Sequence, residues 1–233
     1  DGYYVFQGSN ESIEFTGINN VVGSTGALLS TNTVTTFTNL YVKNSGTLNV
    51  SDSSLGDAPV GIQHETSNVG NLIFENTGKI DVHYGTNVSP ERLFFEGSVE
   101  LQNKSGGEII FKNENGNSMK ELYATANSYA SDPNPMKIIN DGKITVEGIT
   151  SIPYSRTVMA HHYGHLTSTA LGQHTIINNG IINLKNALGY LQDYSTGIYD
   201  ASSGGIMNVR ENSVGIELTL SGISEPIFNS STL

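Results

Sequence analysis

The chain has 233 residues and a formal net charge of -11 at pH 7, from 22 acidic and 11 basic side chains. Because nucleic-acid binding needs a basic face that contacts phosphates, this balance excludes nucleic acid as a predicted partner. The absence of cysteine excludes a disulfide scaffold, a zinc–thiolate site and thiol catalysis.

The predicted elements are short β-strands. Good helix formers are sparse among 26 glycines and many asparagine, serine and threonine residues, and this composition favours an all-β fold. The first coil is expected to run from Tyr3 through Ile13 and Phe15 to Leu28 and Leu29.

A repeated phrase follows, made of a short apolar strand, an asparagine, a spacer, a glycine and a second strand. It reads LYVKNSGTLNV at residues 40–50 and LIFENTGKIDV at residues 72–82. Later copies contain Asn103 with Gly107, Asn140 with Gly142 and Asn178 with Gly180, and a degenerate copy covers residues 202–209. Strand-and-turn units that recur at unequal intervals are typical of a solenoid with insertions in its loops.

Strand alternation assigns inward and outward residues in each repeat. After each glycine, the predicted inward residues are Leu48, Val50, Ile80, Val82, Ile109, Phe111, Ile144, Val146, Ile182, Leu184, Met207 and Val209. Before each asparagine, they are Leu40, Val42, Leu72, Phe74, Val99, Leu101, Met136 and Ile138. The outward column after the glycine is mostly polar, as the solvated face of a sheet should be: Asn49, Asp81, Ile110, Thr145, Asn183 and Asn208.

The asparagines occupy the corners between the two strands. Asparagine tolerates a left-handed backbone, and its amide can donate to the asparagine of one neighbouring coil while it accepts from the other. The sequence therefore predicts a structural ladder of Asn44, Asn76, Asn103, Asn140 and Asn178. The glycine of each corner is expected to supply a second position with positive φ.

A third strand is predicted in each coil. The candidates are residues 60–63, 92–95, 121–124, 157–160, 188–191 and 214–217. The chain is thus expected to form one β-helix segment over residues 1–233, with three strands per coil, about six to seven coils and long loop insertions.

The repeats resemble the passenger domains of type V autotransporters and are most similar to the large fusobacterial outer-membrane adhesins. The resemblance is carried by Asn-x-Gly-x-Ile-x-Val units followed by Gly-Ile strands, as in residues 60–62, 196–198 and 214–216. It implies a right-handed parallel β-helix, a fragment of a longer passenger domain that a C-terminal barrel outside this sequence tethers to the outer membrane. It also implies exposure on the surface of a Gram-negative bacterium and binding to host cells or partner bacteria.

A histidine cluster is the densest group of chemically versatile side chains. On a strand, His161, Tyr163 and His165 would share one face, and imidazoles there could hold a transition metal. Because no Asp, Glu or Cys lies nearby in sequence, we expect a solvated or ligand-contacting patch with no metal and no cofactor.

Three polar insertions are the predicted binding loops, at residues 113–135, 148–173 and 186–199. Loops on a rigid scaffold often carry binding, and tyrosine gives contact area at low entropic cost. The candidate ligand-binding residues are Tyr154, His161, His162, Tyr163, His165, Tyr190 and Tyr194. The alternative is that these segments are merely tolerated insertions.

Three classes of function fit a β-helix. The sequence favours an adhesin segment that binds a host-cell protein, a glycan or another bacterium through its loops. A structural stalk and a polysaccharide lyase or hydrolase are the alternatives. An enzyme is not expected, because such enzymes need converging carboxylates and the acidic residues here are dispersed; Asp81, for example, has Asn49 and Ile110 as its outward neighbours.

Overall fold

Every regular element that the structure describes is a β-strand. The computed structural model describes residues 8–22, 27–30, 37–51, 60–64, 71–84, 91–97, 99–113, 119–124, 137–148, 156–161, 174–193, 197–211, 213–219 and 227–229. Within these ranges, no helix is long and apolar enough to cross a membrane.

The strands follow one another in groups of three. The first four groups are β1 (Gly8–Phe15), β2 (Ile18–Val22), β3 (Ala27–Ser30), β4 (Phe37–Asn44), β5 (Thr47–Ser51), β6 (Val60–His64), β7 (Asn71–Asn76), β8 (Lys79–Tyr84), β9 (Glu91–Gly97), β10 (Val99–Asn103), β11 (Glu108–Asn113) and β12 (Met119–Ala124). The remaining strands are β13 (Lys137–Asn140), β14 (Lys143–Gly148), β15 (Arg156–His161), β16 (His174–Asn178), β17 (Ile181–Lys185), β18 (Leu188–Asp193), β19 (Gly197–Asp200), β20 (Ile206–Arg210), β21 (Val214–Thr219) and β22 (Ile227–Asn229).

These strands build three parallel sheets. Among the described residues, the first sheet has eight strands in the order β1-β4-β7-β10-β13-β16-β19-β22. The second sheet has seven, from β2 to β20, and the third has seven, from β3 to β21. Each strand therefore pairs with strands three places away in the chain, which is the topology of a parallel β-helix with three strands per coil.

The predicted fold class is confirmed. Seven coils each contribute one strand to every sheet, and β22 adds a further strand to the first sheet. The six predicted third strands correspond to β6, β9, β12, β15, β18 and β21, and the first coil has its own third strand, β3. Tyr3, the predicted start of the first coil, lies outside the described residues.

The interior holds the two predicted apolar columns. The inward residues of β5, β8, β11, β14 and β17 are all buried, as are those of β4, β7 and β10. Ile138 is buried, whereas Met136 lies outside the described residues. From the third sheet, Ile62 and Leu122 join the same core.

The prediction was wrong for one inward position, Val209. Its side chain is 46% exposed, and Met207 on the same strand is only partly buried. Both residues lie on β20, the last strand of the second sheet among the described residues. The described residues place a neighbouring strand on one side of β20 only, so they supply half of the contacts that bury an inward side chain elsewhere in the column.

The backbone explanation of the corners was also wrong. Among the described residues, positive φ occurs at Gly17, Gly106, Gly204, Asn186 and Glu211, and not at the ladder asparagines or at the recurrent glycines. The recurrent glycines are required because the coils stack closely at the corners. A Cβ atom on Gly78 would overlap the carbonyl oxygen of Gly46, and one on Gly180 would overlap that of Gly142.

Hydrogen bonds hold these corners together. The backbone N–H groups of Thr77 and Gly78 both donate to the carbonyl oxygen of Asn44, at 2.9 and 3.1 Å. The N–H of Lys79 then donates to the carbonyl oxygen of Gly46 at 2.8 Å. The turn therefore continues the hydrogen bonding of the two sheets that it joins, and little room remains for a side chain at the glycine.

Candidate functional site

The asparagine ladder runs through the interior as one continuous chain of hydrogen bonds. All five side chains are fully buried. The Nδ2 of each asparagine donates to the Oδ1 of the next at 2.8 Å, and the four pairs join Asn44, Asn76, Asn103, Asn140 and Asn178 in this order. The second amide hydrogen has a backbone acceptor, such as the carbonyl oxygen of Lys143 at 3.2 Å from Asn103 Nδ2. Apart from Asn44 Oδ1, the polar atoms of these amides are hydrogen-bonded inside the stack, so the ladder is structural.

The two ends of the ladder differ. In the preceding coil, Phe15 occupies the position of Asn44, and Asn44 Oδ1 has no hydrogen-bond partner within the described part of the chain. At the other end, Asn178 Nδ2 donates to the hydroxyl of Tyr199 at 3.3 Å. Burial raises the pKa of Tyr199 above its usual value, although the hydrogen bond from Asn178 opposes this effect. The ladder thus begins with an unsatisfied oxygen and ends on a phenol.

Two of the seven predicted ligand-binding residues belong to described strands. His161 is the last residue of β15, and it pairs with Gln192 on the neighbouring strand β18. Tyr190 lies on β18 two residues before Gln192. Tyr154, His162, Tyr163, His165 and Tyr194 lie outside the described residues. The binding role of all seven therefore stays a prediction.

The predicted loop insertions surround strands of the third sheet. Strand β12 lies within residues 113–135, β15 lies within 148–173 and β18 lies within 186–199. The insertions therefore consist of separate connections on either side of a third-sheet strand, and not of uninterrupted loops.

The outer face of the second sheet carries a compact charged group on β8. Lys79 Nζ lies 2.7 Å from Asp81 Oδ2, and His83 Nε2 lies 2.7 Å from Asp81 Oδ1. Burial alone would raise the pKa of Asp81, but the hydrogen bond from Lys79 and the charges of His83 and Lys79 leave it below its usual value. The same hydrogen bond raises the pKa of Lys79.

Ion pairs between coils continue across this face. Lys143 Nζ lies 2.9 Å from Glu108, and Lys185 Nζ lies 3.0 Å from Glu147 and 3.6 Å from Glu211. The pKa of Lys185 is raised by its hydrogen bond with Glu147. Glu108, Glu147 and Glu211 thus each lie beside a lysine from a neighbouring coil.

Two shallow grooves lie on the outer faces. The first, about 310 Å³ in volume, is on the first sheet; we call it the Tyr41 groove and define it by Tyr41, Ile73, Glu14, Lys43, Glu75 and Gln102. The second, about 290 Å³, is on the second sheet and is lined mainly by Lys143, Lys185, Arg210, Glu147, Thr145 and Asn183. Both are in the size range of small-ligand sites, and both are open clefts on a face.

The Tyr41 groove was missed by the sequence reasoning, which looked for binding in the loops. The signal was present, because Tyr41 stands at an outward phase between the inward residues Leu40 and Val42. In the structure, Tyr41 is indeed solvated and is 43% exposed.

The candidate surface contains no assembled metal centre within the described ranges, because no three His, Cys, Asp or Glu side chains there are placed to hold an ion. Comparison with known proteins finds no protein family, no curated protein and no solved structure that matches this chain.

Proposed function

We propose that this chain is a β-helical segment of a bacterial surface adhesin, which binds a host-cell protein, a glycan or a partner bacterium through its outer surface. The observation that carries the proposal is that the interior is filled while the outside is open. Among the described residues, apolar columns and the asparagine ladder occupy the inside of the stack, and the Tyr41 groove and the second-sheet groove lie on outer faces. Such a scaffold recognises a partner by extended contact with its flanks.

The repeat pattern supports the cellular setting that we propose. Its resemblance to type V autotransporter passengers implies the outer surface of a Gram-negative bacterium, with tethering through a domain outside this sequence. A chain with a net charge of -11 also favours neutral or basic partners over nucleic acid.

A binding role is favoured over a catalytic one by the pairing of the acidic groups. A glycosidase needs one carboxylate that protonates the leaving group and a second that activates water or attacks the sugar. On the outer face of the second sheet, Asp81, Glu108 and Glu147 are each held within 3.0 Å of a lysine, so each of these three carboxylates already has an ionic partner.

The structural stalk is the second candidate, and the continuous ladder favours it. A stack held by one buried hydrogen-bond chain from Asn44 to Asn178 is a stiff spacer whether or not its faces bind. The stalk differs from the adhesin in one observable, because a pure spacer should retain no ligand.

The test is retention by the intact 1–233 chain. Immobilised protein is exposed to a glycan array, to host receptor ectodomains and to candidate partner bacteria. Specific, saturable retention of any one supports the adhesin. Retention of none by protein with an intact β-sheet circular dichroism spectrum contradicts it and favours the stalk. New reducing ends or unsaturated products from polygalacturonate, dextran or mucin glycans would instead establish an enzyme.

A further inference from the structure

We propose that the Tyr41 groove binds a neutral hexose unit of a glycan. This inference rests on the proposed function and gives it a site and a ligand class. The groove spans β1, β4, β7 and β10 on the outer face of the first sheet.

An apolar floor lies in one column of this face. Tyr41 and Ile73 are partners in the register of β4 and β7, so their side chains are neighbours about 4.8 Å apart along the stack. The column continues with Ser12 on one side and Glu100 on the other, so the apolar patch ends after two residues. The apolar patch therefore consists of one residue from each of two neighbouring coils and includes an exposed aromatic ring. Its extent matches the apolar face of a single pyranose ring.

A polar rim runs beside this floor. Lys43 Nζ lies 3.9 Å from Glu14 Oε1 and 4.0 Å from Glu75 Oε1. Glu14 Oε1 already accepts a hydrogen bond from the hydroxyl of Ser45 at 2.6 Å. The contacts of Lys43 with the two glutamates are longer than hydrogen bonds, so Lys43 Nζ and the Glu75 carboxylate keep capacity for other partners. Sugar hydroxyls both donate and accept, and a row of alternating acceptors and donors beside an aromatic ring serves both functions.

The charge of the rim selects against ionic ligands. Two glutamates and one lysine leave a net charge of one negative unit in a chain that is itself acidic, so sialic and uronic acids would be repelled. A basic peptide would have to compete with Lys43, which already lies between both carboxylates. A peptide strand cannot be added at β4 or β7, which carry the floor of the groove, because each of them is paired on both sides.

The second-sheet groove is an internal comparison. It has a similar volume, but its lining carries Lys143, Lys185 and Arg210 and no aromatic residue. It lacks the stacking floor that a neutral sugar needs, so the two grooves should differ in what they bind.

The experiment titrates the 1–233 chain with methyl glycosides of glucose, galactose and N-acetylglucosamine and with their linear oligosaccharides, followed by NMR chemical-shift changes. Sialyllactose and oligogalacturonate form the anionic arm. The variants are Tyr41→Ala, Tyr41→Phe and, on the second sheet, Ile181→Ala, whose side chain is 39% exposed. Because Tyr41 is exposed on a strand, each variant should keep the wild-type spectrum away from the substitution.

We expect a neutral sugar to bind, Tyr41→Ala to weaken it at least about tenfold, and Tyr41→Phe and Ile181→Ala to stay within about threefold of wild type. Neutral glycan binding that Tyr41→Ala leaves unchanged overturns the groove and leaves the adhesin intact. If the chain binds only anionic glycans, or only a protein receptor, the groove proposal is likewise overturned and the adhesin proposal is kept. Retention of no glycan, receptor or cell overturns both proposals.

Discussion

Asn103 Nδ2 donates to Asn140 Oδ1 at 2.8 Å, although the two residues are 37 positions apart in the chain. Asn103 also accepts from Asn76 at the same distance. A residue in the middle of the ladder therefore satisfies a buried donor in one coil and a buried acceptor in the other. This relationship fixes the register of successive coils, because a slip by one residue would replace Asn103 with Gln102 or Lys104 beside the buried amides of the neighbouring coils.

The position of an asparagine within the ladder should determine its contribution to stability. Asn103→Leu removes the Oδ1 acceptor of one amide hydrogen of Asn76 and leaves Asn140 Oδ1 without its donor. Asn44→Leu breaks only one bond of the ladder, to Asn76, and removes an oxygen that has no partner among the described residues. Both variants also lose a hydrogen bond to a backbone carbonyl oxygen of a neighbouring coil. We expect Asn103→Leu to lower the free energy of unfolding by about 1–3 kcal/mol more than Asn44→Leu, as measured by urea denaturation. Equal losses would contradict the ladder as a cooperative element.

The recurrent glycines should be sensitive because of close stacking. Gly78→Ala places a Cβ against the carbonyl oxygen of Gly46, and we expect it to cost more than about 3 kcal/mol. Gly17 has a φ of 67°, and no described atom lies within 4 Å of the position that a Cβ would take there. Gly17→Ala should therefore cost only about 1–2 kcal/mol through backbone strain. Thermal denaturation of both variants separates steric overlap from backbone strain. A larger loss of stability for Gly17→Ala than for Gly78→Ala would contradict our explanation.

Two valines of one interior column provide a matched pair. Val146 is fully buried on β14, whereas Val209 is 46% exposed on β20. Valine to threonine keeps the shape and adds a hydroxyl. We expect Val146→Thr to cost about 1–3 kcal/mol because the hydroxyl would be buried without a partner, and Val209→Thr to cost less than about 0.5 kcal/mol. Similar costs in chemical denaturation would mean that β20 is covered in solution.

Asp81 should give stability a dependence on pH at both extremes. Its folded pKa is lowered, so its contribution is present above its unfolded pKa and is lost as the pH falls through the folded value, below about pH 4. The pKa of Lys79 is raised, so its contribution is present below its unfolded pKa of about 10.5 and is lost as the pH rises through the folded value.

Asp81→Asn should flatten both limbs of the stability curve. Since Lys79 is 39% exposed, we expect the difference from wild type near neutral pH to be at most about 1 kcal/mol. Urea denaturation from about pH 3 to about pH 11 measures it. Parallel curves for the two proteins would show that the group on β8 does not contribute.

Much of the fold could be predicted because its rules are local. The alternation that places Leu48 and Val50 inside needs only the strand period, and recurrence alone reveals the asparagine ladder. The reason for Gly78 could not be read locally, because the atom that excludes a Cβ belongs to Gly46, one coil away. The exposure of Val209 depends equally on neighbouring coils, because the described residues place a strand on one side of β20 only.

The candidate site was harder to predict, because surface chemistry depends on which coils are adjacent. The pairing of Lys143 with Glu108 joins residues 35 positions apart, across coils of unequal length. The outward phase of Tyr41 could be read from the sequence, but a binding role could not, because a single exposed aromatic residue carries no motif. Its meaning depends on Ile73 and Lys43, which the register brings beside it.

The most direct test of the stacked coils is detection of the ladder itself. In a deuterated, isotope-labelled sample, NMR can record scalar couplings across hydrogen bonds from the side-chain nitrogen of one asparagine to the carboxamide carbon of the next. We expect couplings from Asn44 to Asn76, Asn76 to Asn103, Asn103 to Asn140 and Asn140 to Asn178. Rapid exchange of these amide hydrogens with water, with no coupling between any of the pairs, would contradict the β-helix and the binding surface built on it.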